Sequence, residues 1–300
     1  MIIISVFCET IRIYLCVYFP GSHDSFANWL DKNGPLGPDC DAAIKDLAKL
    51  FGGMIKDIIC RWSLTQSLGA TAQLKAGIRY FDLRISTKPE SEDLYVLHGL
   101  YSVTLEKYLT DIKTFLDAHP KEVVLLDLNH FYKMSEFEHK QCVSMILEIL
   151  GYKMCPLLDM ESVTLQTMWD SQLQVLVFYH YTIDNHQFWP GNLIPSPWPN
   201  VCDTQKMLAF LEKNYEAGRS ASTFYVCQGI LTPDTGYVIK HVMSSLKHAV
   251  SDKCGKPFVD WLKTKKAGQN GINICIMDFV EEFDYIATVI ALNDTLVENK

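Results

Sequence analysis

The segment FPGSHDSF, Phe19 to Phe26, leaves a run of branched and aromatic residues and turns at once into Gly-Ser-His-Asp-Ser. It sets an imidazole and a carboxylate, His23 and Asp24, side by side directly after an apolar stretch. Two readings compete. The plain one is a polar loop with a capping aspartate. The sharper one is a catalytic base at the mouth of a barrel, since barrel enzymes gather their chemistry at the C-terminal ends of strands. One His-Asp pair does not choose between them, so the choice falls to the other strand ends.

Upstream, residues 1–19 (MIIISVFCETIRIYLCVYF) are apolar enough for a secretory signal or an anchor. Glu9 and Arg12 interrupt the run, however, and no basic segment precedes it. We read an atypical N-terminal segment in which Ile11–Phe19 is the first barrel strand, its β-branched and aromatic residues suited to burial on both faces. Downstream, strands and helices alternate. Helices are expected at Ala42–Ile59 and Thr65–Ala76, then a strand at GIRYFDLRIS (Gly77–Ser86) and another at LYVLHG (Leu94–Gly99). Leu105, Tyr108, Leu109, Ile112, Phe115 and Leu116 recur at helical spacing before Pro120. EVVLLDLNH (Glu122–His130) is a buried strand, and Ser135 with Glu138 forms a capping box for a helix ending at Gly151. LQVLVFYH (Leu173–His180), a Pro- and Trp-rich loop (Phe188–Asn200), a helix at 203–217 and TFYVCQ (Thr223–Gln228) follow. Helices near 234–251 and 257–266, the strand GINICIMDF (Gly271–Phe279) and a terminal helix complete the chain.

Seven apolar strands, mostly separated by helices, predict a largely parallel α/β sheet covered on both faces. No G-x-G-x-x-G follows the first strand, so a dinucleotide-binding open sheet loses ground to a barrel. The 300 residues are 48% hydrophobic, enough for one large domain. A formal charge of −8 argues against nucleic acid as a partner, because phosphate backbones demand basic patches. Ten cysteines, scattered without CxxC spacing, read as reduced thiols of a cytosolic protein and not as a zinc site. A lone N-D-T sequon at Asn293 does not imply secretion.

Reading along the strand ends gives His23 and Asp24, Asp82 and Arg84, His98, Asn129 and His130, Tyr179 and His180, Gln228, and Asp278. Each alone is more often a solvated or hydrogen-bonded side chain than a catalyst. Their joint placement on one rim carries more weight. Two histidines supply a base and an acid, each worth about a hundred- to ten-thousand-fold. An arginine neutralises phosphate oxygens with a planar fork that keeps its charge. Base, acid and guanidinium describe cleavage of a phosphodiester by an internal hydroxyl. The H-E-x-x-H, G-x-x-x-x-G-K-[ST] and G-x-S-x-G patterns are missing from the chain. His119, His139, His186, His241 and His248 are read as surface residues.

At these residues the sequence resembles a known family. PGSHDSF, GIRYFDLRIS, LHGL, EVVLLDLNHFY, WPG…PWPN and the late MDF are similar to the short phosphatidylinositol-specific phospholipase C (PI-PLC) X domain-containing proteins. The match runs from Pro20 to the C-terminus. Members lead into the first motif with a segment such as NLAIPGSHDS, whereas this chain begins MIIISVFC, which suggests an alternative start or a truncated product. The resemblance implies a distorted TIM-type barrel, a single PI-PLC X domain over residues 20–300, and a lipid phosphodiesterase site. By motif, His23 would be the general base on the inositol 2-hydroxyl, Arg84 would hold the phosphate, and His98 would protonate the diacylglycerol oxygen. Asp24 would orient Arg84 or assist the acid, and Asp278 would orient His23. Asp82, Asn129, Tyr179 and Trp189 are taken as substrate-binding positions.

Calcium-dependent relatives place Asn directly after the first His and acidic residues at the next strand ends. Here Asp24 and Arg84 stand instead, and two carboxylates fall short of calcium's six to eight oxygens, so no cofactor and no calcium are expected. The expected partner is a phosphoinositide lipid at a membrane surface, with no nucleic acid and no stable protein partner. The expected location is cytoplasmic, with peripheral membrane contact through rim loops that carry Trp189 and Trp198. The competing readings are a phosphoinositide-binding scaffold without turnover and a glycerophosphodiesterase, whose H-R-G turn and paired acidic metal ligands the sequence does not show.

Overall fold

A computed structural model describes residues 17–40, 53–266 and 271–296 of the protein. In chain order the strands are β1 (Phe19–Ser22), β2 (Tyr80–Thr87), β3 (Leu94–His98), β4 (Leu100–Thr104) and β5 (Val124–Tyr132), then β6 (Val175–Tyr179), β7 (Trp189–Pro190), β8 (Val226–Gln228) and β9 (Ile274–Met277). The helices are α1 (Gly53–Ser63), α2 (Ala70–Ala76), α3 (Leu105–Ala118), α4 (Glu136–Leu150) and α5 (Leu165–Asp170), then α6 (Thr204–Ala217), α7 (Thr235–Lys240), α8 (Asp252–Leu262) and α9 (Tyr285–Ala291).

The strands β7-β6-β5-β2-β1-β9-β8 pair in that order, all parallel, while β3 and β4 form an antiparallel excursion from β2. The sheet curls into an α/β barrel of the TIM type. Between its outer strands the chain after β7 supplies the contacts. The N–H groups of Phe224 and Val226 donate to the carbonyls of Leu193 and Pro195 at 2.9 and 3.0 Å. Pro195 suits this seam because only its carbonyl is used there.

Alternation along each strand divides the core. Phe19, Tyr80, Leu125, Leu176, Phe178, Trp189, Val226, Ile274 and Ile276 form one cluster inside the barrel. Phe81, Leu83, Leu126, Val175, Val177, Cys275 and Met277 face outward into a larger cluster shared with the helices. That cluster takes up all six periodic residues of α3, Leu105 to Leu116. The capping box of α4 forms as expected. Ser135 N–H donates to Glu138 Oε2 at 2.7 Å, and Phe137 N–H donates to Ser135 Oγ at 3.2 Å.

Several boundaries differ from the sequence reading. The first strand lies at Phe19–Ser22, later than Ile11–Phe19, and residues 11–16 are outside the described residues. Pro20 is tolerated because pairing with β2 only begins at Gly21, while its carbonyl accepts from Arg79 N–H at 2.8 Å. Of the helix expected at Ala42–Ile59, residues 42–52 lie outside the described residues and the rest belongs to α1. Only Ala70–Ala76 of Thr65–Ala76 is helical, and Gly151 remains right-handed and opens a 3-10 turn instead of reversing the chain. The segment 234–266 is three pieces, α7, a π turn at Lys247–Ser251 and α8, with Pro257 inside the last. The short strands β4 and β7 were not expected.

None of the described cysteines is in a disulfide. Asn293 of the sequon is buried, its amide bonded to the backbone of Tyr18 at 2.7 and 3.1 Å. No described helix is long and apolar enough to cross a membrane.

Gly21 marks the tightest point of the barrel. A Cβ there would lie 2.7 Å from Tyr80 Cδ1, 2.9 Å from Ile276 Cγ2 and 3.0 Å from the Cys275 carbonyl. Gly21→Ala is expected to cost about 1–3 kcal/mol through overpacking. A lowered urea midpoint with an unchanged m-value would show it, and an unshifted midpoint would contradict the crowding.

Candidate active site

The site grows from the same alternation that builds the barrel core. Tyr80, Asp82 and Arg84 share the inner face of β2, so that face passes from apolar to charged as the strand reaches the rim. The same change follows Ile274 and Ile276 on β9, where Asp278 comes next, and Phe19 and Gly21 on β1, where His23 comes next. Between Leu83 and Arg84 the β2–β5 ladder shifts register, passing over Asn129. Such a bulge re-aims side chains. Asn129 Nδ2 here donates to Asp82 Oδ1 at 2.5 Å.

Asp24 is the hub. It is 3% exposed and adopts a left-handed φ of 38°, a conformation Asp tolerates better than most residues. Its N–H donates to Asp82 Oδ2 at 2.9 Å, and its carbonyl accepts from Thr65 Oγ1 at 3.0 Å and Ala27 N–H at 2.9 Å. These bonds lock the turn and aim the carboxylate inward. There Oδ1 meets Arg84 Nε, and Oδ2 lies 3.3 Å from His23 Nε2 and 3.4 Å from His98 Nε2. The two imidazole centroids are 6.5 Å apart.

Each imidazole is held from behind. His23 Nδ1–H donates to Asp278 Oδ1 at 2.7 Å, and Asp278 Oδ2 accepts from Ser251 Oγ at 3.2 Å. Gln66 Nε2 donates to the carbonyls of His23 and Met277 at 2.9 and 3.1 Å, tying β1 to β9 at the rim. His98 Nδ1–H donates to the Ser63 carbonyl at 2.8 Å. Gly99, at φ 67°, makes the turn after β3 that presents His98, and its N–H donates to Asp39 Oδ2 at 2.7 Å. Both nitrogens of His98 therefore face acceptors.

Burial alone would push the His23 imidazolium to lose its proton, but the Asp24 and Asp278 carboxylates outweigh it and hold the pKa up at about 9. Burial likewise opposes the Asp24 anion, yet Arg84, His98 and His23 bring its pKa down to about 2. Arg84 is desolvated too, and Asp24 and Asp82 raise its pKa further.

Seven of the expected residues thus meet in one place: His23, Asp24, Asp82, Arg84, His98, Asn129 and Asp278. Two do not. Tyr179 turns to the outer face of β6, where its hydroxyl bonds His139 Nδ1 at 2.9 Å under the helices. Trp189 is fully buried inside the barrel, with Nε1–H donating to the Cys155 carbonyl at 2.9 Å. Both border the cavity beside His180 at the end of β6. His139, expected at the surface, is buried with Tyr179 and stacked on Tyr181 at 3.6 Å between centroids.

The sequence reading missed Ser63, Thr65, Gln66 and Ser251, which act through backbone or second partners and lie in segments without a signature. It also missed Asp127. This fully buried carboxylate accepts from Tyr80 OH at 2.6 Å and pairs with His180 Nε2 at 2.8 Å. Burial opposes the His180 charge, but Asp127 overcomes it and raises the pKa. The alternation Leu125, Asp127, Asn129 is the signal that would have found it.

Among the described residues, His23, Asp24 and Asp82 offer ligand atoms within 4.8 Å of one another. Asp24 is already paired with Arg84, and both Asp82 oxygens accept hydrogen bonds, from Asp24 N–H and Asn129.

Comparison with known proteins follows this geometry. A family model described as PI-PLC X 1 matches residues 61–190. The human PI-PLC X domain-containing protein 3 is 42% identical over 278 residues, covering 91% of this chain and 87% of that protein. The mouse PI-PLC X domain-containing protein 2 is 42% identical over 281 residues, covering 92% and 82%. The phosphatidylinositol-specific phospholipase C from Listeria monocytogenes superposes with a TM-score of 0.64 over 97% of this chain and 98% of that one, at 20% identity, a likeness of fold. On sequence and architecture together, the chain belongs to the PI-PLC X domain-containing family.

Proposed function

We propose that the protein is a phosphoric diester hydrolase of the phospholipase C type, cleaving inositol phospholipids at a membrane surface. The observation that carries this reading is the meeting of two imidazoles and a guanidinium on the single carboxylate of Asp24. His23, freed of its Nε2 proton, takes the proton of the ring hydroxyl next to the phosphate. That oxygen attacks phosphorus, and the bond from phosphorus to the diacylglycerol oxygen breaks. His98 delivers a proton to the departing oxygen, and a cyclic inositol phosphodiester remains. Arg84 supplies charge to the phosphoryl oxygens as it develops. Asp278 fixes the His23 ring, and Asp24 holds Arg84 and His98 in register.

Arg84 also bears on metal use. A divalent cation bound by His23, Asp24 and Asp82 would displace a guanidinium from its carboxylate and would gain two carboxylates and one nitrogen, far from calcium's preferred oxygen shell. The reading is therefore metal-independent turnover.

The raised pKa of His23 favours lipid binding with little turnover at neutral pH as the second reading, since a protonated imidazole accepts nothing.

His23→Ala and His98→Ala should each lower kcat/KM on phosphatidylinositol vesicles by about 10²–10⁴-fold with the circular dichroism unchanged. Full activity in either variant removes the assignment. EDTA should leave turnover within about twofold, since no step uses a metal; a loss restored by calcium would reverse that part. The pH profile follows from the sign of the His23 shift. Its base form accumulates only as pH rises toward 9, so kcat/KM should climb from neutral pH into that range. Asp278→Asn removes one of the two anions that raise this pKa, moving the rising limb to lower pH while reducing the plateau. A limb that stays in place would exclude His23 as the base.

A further inference from the structure

The β3–β4 hairpin leaves the barrel, and His98 goes with it. Pairing of β3 with β2 ends at Ile85 and Val96, so Leu97 and His98 lie past the last rung. His23 follows a strand flanked by β2 and β9, and Arg84 pairs in register with His130. Beyond Val96 the strand partner of His98 is β4, itself outside the barrel. The imidazole that must place a proton on the departing oxygen thus lacks the backbone support given to the other two groups. Such placement is demanding, since a displacement of about 1 Å can cost about a hundredfold in rate.

Support comes instead from the loop Leu36–Cys40, which grips the residue after His98. Gly37 N–H donates to the Gly99 carbonyl at 2.8 Å, and the Cys40 thiol donates to the same oxygen at 3.1 Å. On the other side Gly99 N–H donates to Asp39 Oδ2 at 2.7 Å. Leu36 bridges to Leu100, and Leu36, Cys40, Ile59 and Leu100 pack in one small apolar cluster. The fit is tight. A Cβ on Gly37 would collide with Asp39 Oδ1 and lie 3.0 Å from the Gly99 carbonyl oxygen, and one on Gly99 would collide with Ser63 Oγ. Gly99 is therefore pressed between this loop and the end of α1, where the Ser63 carbonyl accepts from His98 Nδ1–H. Asp39 is the one charged residue of the loop, and a hydrogen bond to a carboxylate is about twice as strong as a neutral one.

We propose that Asp39 is the positioning residue for the general acid: through the Gly99 turn it fixes where His98 Nε2 meets the departing oxygen. The inference rests on the phospholipase reading for the step it serves, but the place of the His98 ring is measured without turnover.

The test uses the whole chain and two substrates that differ in their need for an acid. Phosphatidylinositol in mixed micelles releases an alkoxide that must be protonated, whereas nitrophenyl inositol phosphate releases a phenolate that leaves unaided. Asp39→Ala should lower kcat on phosphatidylinositol by about 10²-fold with KM unchanged, and on the nitrophenyl ester by no more than about threefold. Asp39→Asn keeps an acceptor for Gly99 N–H without the charge and should fall between Asp39→Ala and wild type on phosphatidylinositol. In parallel, proton NMR of the imidazoles reads the hydrogen-bonded Nδ1–H of His98 and of His23. Asp39→Ala should lose the His98 signal and keep that of His23, which reports a folded site. Equal losses on both substrates, an unchanged kcat on phosphatidylinositol, or a His98 signal that persists in Asp39→Ala overturns the assignment. Should Asp39→Ala lose both signals, Asp39→Asn decides: a fall confined to phosphatidylinositol sustains the role, and equal falls or none overturn it. A wild type that turns over neither substrate sinks the phospholipase reading, and selective loss of the His98 signal then still sustains the positioning role.

Discussion

Burying one carboxylate among a guanidinium and two imidazoles is the constraint on which the rim depends. A desolvated carboxylate alone would cost several kcal/mol, and removing one partner of such a cluster leaves the others uncompensated. Asp24 therefore acts as both cement and template. It fixes where Arg84, His23 and His98 stand before any ligand arrives, so that the proposed phosphoryl transfer would leave little reorganisation to be done. The left-handed turn at Asp24 is held from within by Ala27 and from two other segments of the rim by Asp82 and Thr65. The barrel thus underwrites the turn, and the turn underwrites the site.

The barrel supplies that support through its inner face. Tyr80, Leu125, Phe178 and Ile276 pack the interior, and the next inward positions up the strands are charged or amide side chains. A packed apolar floor lies directly beneath a polar layer, so the carboxylates cannot be hydrated from below. Their neutralisation must come from one another's partners, which is why Asp24, Asp82, Asp127 and Asp278 each have a named donor. Gly21, where a side chain would strike Tyr80 and Ile276, shows how little room that floor leaves.

Much of this was legible in the chain because strand ends are written in local patterns. GSHDS, FDLR and LHG put the candidate site residues immediately after apolar runs, and the runs located the strands to within a few residues, except the first, which begins at Phe19 and not at Ile11. What was not legible depends on partners distant in sequence. The outward turn of Tyr179 follows from the β5–β6 register, which pairs Leu128 with Tyr179 and leaves His180 to face inward with Asp127. The burial of Trp189 reflects a two-residue strand inside a Pro-rich loop, where composition argued for an irregular surface segment. Gln66 and Ser251 carry no motif; their roles exist only once β9 lies beside β1.

The central claim is that this cluster makes the ring hydroxyl displace diacylglycerol from phosphorus. Phosphorus NMR of phosphatidylinositol vesicles incubated with the wild-type chain, followed from the first turnover, tests it most directly. The account predicts that a five-membered cyclic phosphodiester is the first phosphorus-containing product. A linear inositol phosphate appearing first, or a spectrum that never changes, would contradict it.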